Sequence, residues 1–314
     1  MKIHRHASLL LLGLLLVGGV LASSQDAVSP ASREMADHQC HLFGYLFGEG
    51  AGDEQILSIL CQYLYDKTVP DPGEFRCMSS PASDASWRET PSRDGWGFGY
   101  FLAPPHPGIE RPILIKSGAA ASEDDLRWNS AQDEIGGFAL QGATTVLGHV
   151  RLSSYGPDGG ALPDPHPFAD SLFGRWWLFA HNGHMVPDTL LPWIPETFLE
   201  QHPLDYDPIH VDSEVFFRYC LYEIESLGSV KEGLLCACHR VKEYDDFVFN
   251  ICFTDGDTLW TAHSHGGRPF YFDAVEDSSA WWTSTVWEEG DPPFMYQHHL
   301  YWFTAGSMGV ASYE

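Results

Sequence analysis

The sequence predicts one α+β domain of layered type, with largely antiparallel sheets. Three observations carry this. Strand-like runs come first, segments of helical spacing follow, and strands return, without the strict strand-helix alternation of a doubly wound parallel sheet. Neighbouring strand segments are joined by hairpin chemistry, most clearly at Asp255-Gly256. The chain is 14% aromatic, and the roughly 275 residues that follow its leader are enough to bury one substantial core.

The elements can be justified in order. HLFGYLF, from His41, is a short apolar run and reads as a buried strand. Glu54 to Asp66 places Ile56, Leu57, Leu60 and Leu64 at helical spacing. Asp71 to Pro91 turns to Pro, Ser and Asp and reads as loop. GWGFGYFLA and RPILIKSG read as paired strands around a proline-rich turn. SEDDLRWNSAQDEI reads as a helix with Ser122 as N-cap and acids in its first turn. TTVLGHVRLS is a strand, Gly156 to Pro167 a loop, and RWWLFAHNG a strand. DSEVFFRYCLYEIESL, with Val215, Phe216, Tyr219, Leu221 and Ile224, is a helix. FVFNICFTDGDTLWTAH is a hairpin, and RPFYFDA, AWWTSTV and HLYWFTAG are further strands.

The chain starts with the three parts of a secretory signal peptide: basic Lys2 and Arg5, an apolar stretch from Ala7 to Leu21, and Val20-Leu21-Ala22 before Ser23. Residues 1–22 are therefore expected to be a signal peptide, residues 23–39 a polar leader or propeptide, and 40–314 one domain. An uncleaved anchor is the competing reading, but the apolar stretch is short for a membrane span. The expected location is secreted or periplasmic, with no membrane attachment once the leader is gone. Seventeen Lys and Arg against forty-three Asp and Glu give a net charge of -26, which repels nucleic acid and anionic lipid and excludes both as expected partners. Seven cysteines, an odd number, point in an exported chain to one free thiol or an intermolecular bridge. If that one is Cys40, then Cys61, Cys77, Cys220, Cys236, Cys238 and Cys252 could form up to three disulfides, in a pairing that spacing does not choose. Cys236-Ala-Cys238-His239 fits no common zinc template, so neither metal nor cofactor is expected.

Five segments could carry chemistry together: Cys40-His41, Asp94-Gly95-Trp96-Gly97, His149-Val150-Arg151, His181-Asn182-Gly183 and Asp212-Ser213-Glu214. Each has a bland reading as buried strand cysteine, turn, surface ion-pair partner, hairpin turn or helix cap. Their combined chemistry is coherent. A cysteine thiolate attacks an amide carbonyl but needs a base, and a mature N-terminal cysteine would have its own α-amine, with a reference pKa of about 7.7 to 8.0. An exposed Asn-Gly at a strand end can supply a side-chain amide and a backbone N–H to an oxyanion. An arginine can grip a carboxylate and an aspartate an ammonium. Carboxylate and ammonium together describe the α-carbon end of an amino acid.

In order, CHLFG, DGWGFGY, GHVRLSSYG, DPHPF, FAHNG, VDSE and FNICFTDGDTLW resemble the class II glutamine amidotransferase-like family of N-terminal-nucleophile hydrolases, from Cys40 to about Ser264. The resemblance implies a four-layer αββα sandwich and a cysteine nucleophile freed by processing. It further implies Cys40 as nucleophile, Arg151 on the substrate α-carboxylate with Ser154 assisting, Asn182 and Gly183 as oxyanion hole, and Asp212 on the α-amino group. Asp94, Gly95 and Gly97 match a supporting motif, and His149, His166 and His181 are expected to shape the pocket. The chain departs from the family in three places. Thirty-nine residues precede the cysteine, Tyr155 stands where synthetase-linked members commonly have histidine, and WTAHSHGG replaces wording closer to A-T-R.

The function expected is hydrolysis of glutamine or a γ-glutamyl amide through a thioester on Cys40, with a small-molecule γ-glutamyl substrate as partner. Two alternatives stay open. One is hydrolysis of another acyl amide, on which Arg151 and Asp212 would be wasted. The other is a secreted, non-catalytic module that binds a γ-glutamyl ligand, if residues 23–39 are retained and the thiol lacks its amine base. Oligomeric state and the leaving side of the amide are not specified by the sequence.

Overall fold

The computed structural model describes residues 40–48, 53–69, 94–102, 111–139, 143–152, 166–205, 211–244, 247–264, 270–275, 279–285 and 293–314. The leader segments, the expected loop 71–91, Cys77, Ser154 and Tyr155 lie outside them.

Among the described residues, twelve strands form two six-stranded sheets, and every strand pairing within them is antiparallel. The first contains β1 (His41–Leu46), β2 (Trp96–Leu102), β3 (Ile113–Ser117), β4 (Ala143–Val150), β9 (Tyr271–Ala274) and β10 (Trp281–Ser284), in the order β3-β2-β4-β1-β10-β9. The second contains β5 (Phe168–Leu172), β6 (Arg175–His184), β7 (Val248–Thr254), β8 (Leu259–His263), β11 (His299–Thr304) and β12 (Ser307–Ser312), in the order β12-β11-β8-β7-β6-β5.

Three apolar layers hold four layers of structure together. Helices α1 (Asp53–Asp66) and α2 (Asp125–Ala139) cover the outer face of the first sheet, where Leu57, Leu60, Leu64 and Trp128 meet Phe43, Tyr45, Trp96 and Phe98. After the short helices α3 (Pro187–Leu190) and α4 (Glu196–Leu199) come α5 (Asp212–Leu227) and α6 (Val230–Val241). Phe216, Phe217, Ile224 and Leu234 of α5 and α6 pack on Phe179, Phe249, Ile251 and Phe253 of the second sheet. Leu42, Leu46 and Leu147 of the first sheet face Leu178, Ala180, Cys252, Leu259 and Phe303 of the second. This is the αββα sandwich expected, because each sheet alternates residues between a helix-covered face and the inter-sheet face.

Several details differ from the sequence reading. Ser122 is not the cap of α2: it sits in a 3-10 turn (Ala121–Glu123), and its hydroxyl donates to Thr68 O at 2.8 Å. Tertiary pairing took a side chain that local propensity assigned to a helix end. β5 was missed because Phe-Ala-Asp-Ser-Leu is too polar to read as a strand, yet it closes a hairpin on β6 through Phe173 and Gly174, both at positive φ. Helix α6 was also missed, although Ser229 accepts from Glu232 N and so starts it with a recognisable capping pattern. The six described cysteines are all unbridged, which overturns the expectation of up to three disulfides among Cys61, Cys77, Cys220, Cys236, Cys238 and Cys252 for all of these but Cys77. Those five are spread over α1, α5, α6 and β7; Cys61, Cys220, Cys238 and Cys252 pack as small apolar side chains, while Cys236 is half-buried. Among the described residues, no helix is long and apolar enough to cross a membrane.

Candidate active site

The candidate residues gather where β1 begins. β1 lies between β4 and β10, with His41 opposite Val150 and Phe43 opposite Ser284. Its start is pinned on the β10 side, where Leu42 N donates to Thr285 Oγ1 and Thr285 N donates to Leu42 O, both at 3.0 Å. Cys40, one residue before the strand, is 8% exposed. Its Sγ donates to Leu152 O at 3.3 Å and accepts from Leu152 N at 3.2 Å. Burial pushes the thiol up to about 11, against the Leu152 hydrogen bonds and the charge of Arg151, while Asp212 and Asp94 push it further up. The thiol is thus neutral near pH 7 as it stands, and a base must take its proton before it attacks anything.

Arg151 follows β4 directly, and its backbone is stitched to the Asp94-Gly95 turn. Asp94 N donates to Arg151 O at 2.9 Å and Arg151 N donates to Gly95 O at 2.8 Å. Two residues on, a Cβ at Gly97 would run into His166 O, so the strand stays bare to let the His166 segment approach. The DGWG motif therefore supports the site through backbone.

Asn182 and Gly183 lie near the end of β6, in the other sheet. Asn182 is 2% exposed, and neither its Nδ2 nor its Oδ1 has a hydrogen-bond partner. An unsatisfied buried amide costs about 1 to 3 kcal/mol, so its persistence at this point of the fold marks a place where a ligand would satisfy it. Gly183 has φ 151 and its absent side chain leaves room for Val248 O, which suits glycine alone.

Asp212 opens α5. Its Oδ2 accepts from Met185 N at 3.1 Å and its Oδ1 from Ser213 N at 2.9 Å, tying the carboxylate to the end of β6. Ser213 Oγ lies 2.8 Å from His181 Nδ1, so the same helix turn is bonded to the residue beside Asn182. A further clamp holds α5 from behind. Glu214 Oε1 accepts from Asp205 N at 2.6 Å, while Arg218 donates to Pro203 O at 2.9 Å and lies 3.0 Å from Asp170. The roles of Ser213 and Arg218 were not legible beforehand, since their partners are distant in sequence.

Behind these groups lie three buried histidines. His166 Nδ1 is 2.9 Å from His149 Nε2. Burial holds all three below the usual histidine range, aided for His149 by Arg151 and for His166 by His149, and opposed for His181 by Asp212. Neutral imidazoles linked to each other or to a hydroxyl can fix strand positions.

The structure thus brings Cys40, Arg151, Asn182, Gly183, Asp212 and Asp94 to one end of the sandwich, and Ser154 lies outside the described residues. A cysteine at the head of an internal strand of one antiparallel sheet, with a second antiparallel sheet packed on it and helices on both outer faces, is an αββα arrangement of the N-terminal-nucleophile hydrolase type. The family model for glutamine amidotransferases class-II matches residues 74–270, and the chain belongs to that family. Cys40 precedes the matched span, whereas Arg151, Asn182, Gly183 and Asp212 fall inside it. The chain is 25% identical over 180 residues to the putative glutamine amidotransferase YafJ of Escherichia coli (strain K12), a match over 53% of this chain and 58% of that one. A glutamine aminotransferase class-II domain protein from Silicibacter pomeroyi shares the fold with TM-score 0.51 and 18% identity, over 87% of this chain and 99% of that one. Glutamine phosphoribosylpyrophosphate amidotransferase from B. subtilis does so with TM-score 0.53 and 14% identity, over 88% of this chain and 49% of that one.

Proposed function

We propose that the chain is an amide hydrolase acting on glutamine or a γ-glutamyl amide, with Cys40 as nucleophile once residues 1–39 have been removed. The signal-peptide pattern in the sequence supports an activity outside the cytoplasm as part of this reading. The observation that carries the reading is that the Cys40 thiol lies within the fields of one cation, Arg151, and two anions, Asp212 and Asp94. A cation and a carboxylate on either side of the thiol suit the carboxylate and ammonium of a glutamyl group better than an apolar acyl chain.

In this reading the freed α-amine of Cys40 takes the thiol proton, and the thiolate attacks the amide carbon. The carbonyl oxygen becomes an oxyanion held by the Asn182 amide and Gly183 N–H. The C–N bond then breaks as the α-ammonium returns its proton to the leaving amine, giving a thioester on Cys40. Water, deprotonated by the same amine, hydrolyses the thioester and releases the glutamyl carboxylate and the free thiol. The amine base also answers the thiol's raised pKa, since cleavage before Cys40 would put a base beside a sulfur that is otherwise held protonated.

N-terminal sequencing of protein from its native compartment, with turnover measured on glutamine and γ-glutamyl peptides, tests this. Cys40 should be the first residue of the active form, and Cys40→Ala should abolish cleavage while melting like the parent. Full activity in a form that begins at Ser23 would overturn the mechanism. Ligand binding without turnover, in a form that retains residues 23–39, would favour the binding module.

A further inference from the structure

Three donors at the head of α5 converge on one carboxylate. Asp212 Oδ1 accepts from Ser213 N at 2.9 Å and from Ser213 Oγ at 3.3 Å, while Oδ2 accepts from Met185 N at 3.1 Å. A carboxylate oxygen has two lone-pair sites. Among the described residues, Oδ1 is therefore filled and Oδ2 keeps one site. Asp212 is half-buried, whereas Ser213 is 4% and His181 1% exposed, so of the three only the carboxylate is open to a ligand. Its charge acts on the Cys40 thiol.

The partners of the Ser213 hydroxyl fix where its proton goes. A carboxylate can only accept, so Ser213 O–H donates to Asp212 Oδ1 and leaves its lone pairs to the ring nitrogen of His181, 2.8 Å away. His181 is then the tautomer that has its proton on Nδ1. Helix α5 starts with Val215 N on Val211 O and without a side-chain cap, so the hydroxyl is not engaged in starting the helix. His181 lies on the helix-facing side of β6, with Phe179 stacked at 6.4 Å and Phe216 edge-on at 5.8 Å. A phenyl ring would suit that layer without the cost of burying a polar group, and the imidazole there has its Nδ1–H directed at Ser213. Without the hydroxyl, the carboxylate could turn toward the N–H groups of its own first turn, which the positive end of a 16-residue helix favours.

We infer that Ser213 and His181 are positioning residues for Asp212. The chain from His181 Nδ1–H through Ser213 O–H to Asp212 Oδ1 holds the carboxylate so that the remaining site of Oδ2 meets the ammonium of a glutamyl substrate. The inference rests on the γ-glutamyl amide reading above and adds to it the groups that orient its amine-binding residue. Because His181 immediately precedes Asn182, the grip on the ammonium is set relative to the strand that holds the oxyanion donors.

The test measures competitive inhibition of the mature protein by glutamate and by glutarate, the same diacid without its amine, against turnover of glutamine or γ-glutamylglycine. The parent should favour glutamate at least about tenfold, the worth of one good hydrogen bond between charged groups. Ser213→Ala should cut that preference about three- to tenfold, the worth of one ordinary hydrogen bond, and Ser213→Thr, which keeps a hydroxyl, should retain it. Added to Asp212→Asn, Ser213→Ala should change the ratio no further, whereas a merely structural serine would weaken both inhibitors alike in either background. Should Ser213→Ala fail to fold, His181→Phe, whose ring fits between Phe179 and Phe216, decides by the same ratio. A glutamate-to-glutarate ratio left at the parent value overturns the positioning role alone. A parent with no preference for glutamate overturns the assignment of Asp212 to the ammonium and this inference with it, and a folded parent that cleaves neither substrate overturns the hydrolase reading.

Discussion

The two ends of the inter-sheet layer are equally buried and chemically opposite. At the far end Leu46, Leu147, Leu259 and Phe303 fill the space between the sheets, none more than 3% exposed. At the near end the same strands present Cys40, His149, Asn182, Asn250 and His263, none more than 8% exposed. One end removes apolar surface from water and so holds the sheets together. The other buries amides, imidazoles and a thiol, and Asn182 there lacks any partner. Strand alternation puts a residue on a face without deciding whether it stabilises, so the same layer provides both adhesion and a site.

Paired truncations test the contrast most directly and should give the largest effects. Asn182→Ala should cut kcat by about a hundred- to a thousandfold, the usual cost of one oxyanion donor. Its stability should equal or exceed the parent's, because an unsatisfied amide is removed. Leu259→Ala should do the reverse, costing about 2 to 5 kcal/mol of unfolding free energy while kcat measured well below the melting transition stays near the parent value. Chemical denaturation and steady-state kinetics on both variants check this; a large stability loss in Asn182→Ala would mean that the near end is core after all.

Smaller effects are expected from the charged groups that flank the thiol. Asp212→Asn can still accept from Met185 N but loses the charge that would face an ammonium. Affinity should fall about ten- to a hundredfold for free-amino γ-glutamyl substrates and much less for an N-acylated analogue. Arg151→Lys keeps the charge and loses the planar two-bond grip, so it should raise KM substantially. Equal losses on free and N-acylated substrates would make Asp212 a structural helix-end residue only.

The smallest effect near neutral pH concerns stability. His149, His166 and His181 are held below the usual histidine range by burial, so the unfolded chain takes up their protons first as pH falls. Their contribution is complete above about 6.5 and is lost as pH drops through their lower folded values. Cys40 and Cys61 have the opposite sign: burial raises them to about 11 and about 12 from 9.0, so stability is lost as pH climbs from 9.0 toward those values. Guanidinium midpoints from pH 5 to 10 should therefore show a plateau with both limbs falling, and Cys40→Ala should make the alkaline limb shallower.

Much of this was written locally. The runs at His41, Trp96, Arg175 and Val248 announce strands because their alternation and turn residues act within a few positions, and α5 shows its apolar stripe in the same way. The ordered motifs around Cys40, Arg151, Asn182-Gly183 and Asp212 likewise name the candidate site before any coordinates. Where neighbours far along the chain decide, the sequence is silent or misleading. Ser122 bonds Thr68 instead of capping a helix, and polar β5 becomes a strand only because β6 lies beside it. Cysteines that an exported chain would be expected to bridge sit unbridged in its apolar layers. Local patterns fixed the faces and the residue types. The stacking of two sheets decided which buried polar groups meet, since hydrogen bonding and desolvation depend on distances across the sandwich that no one-dimensional spacing contains.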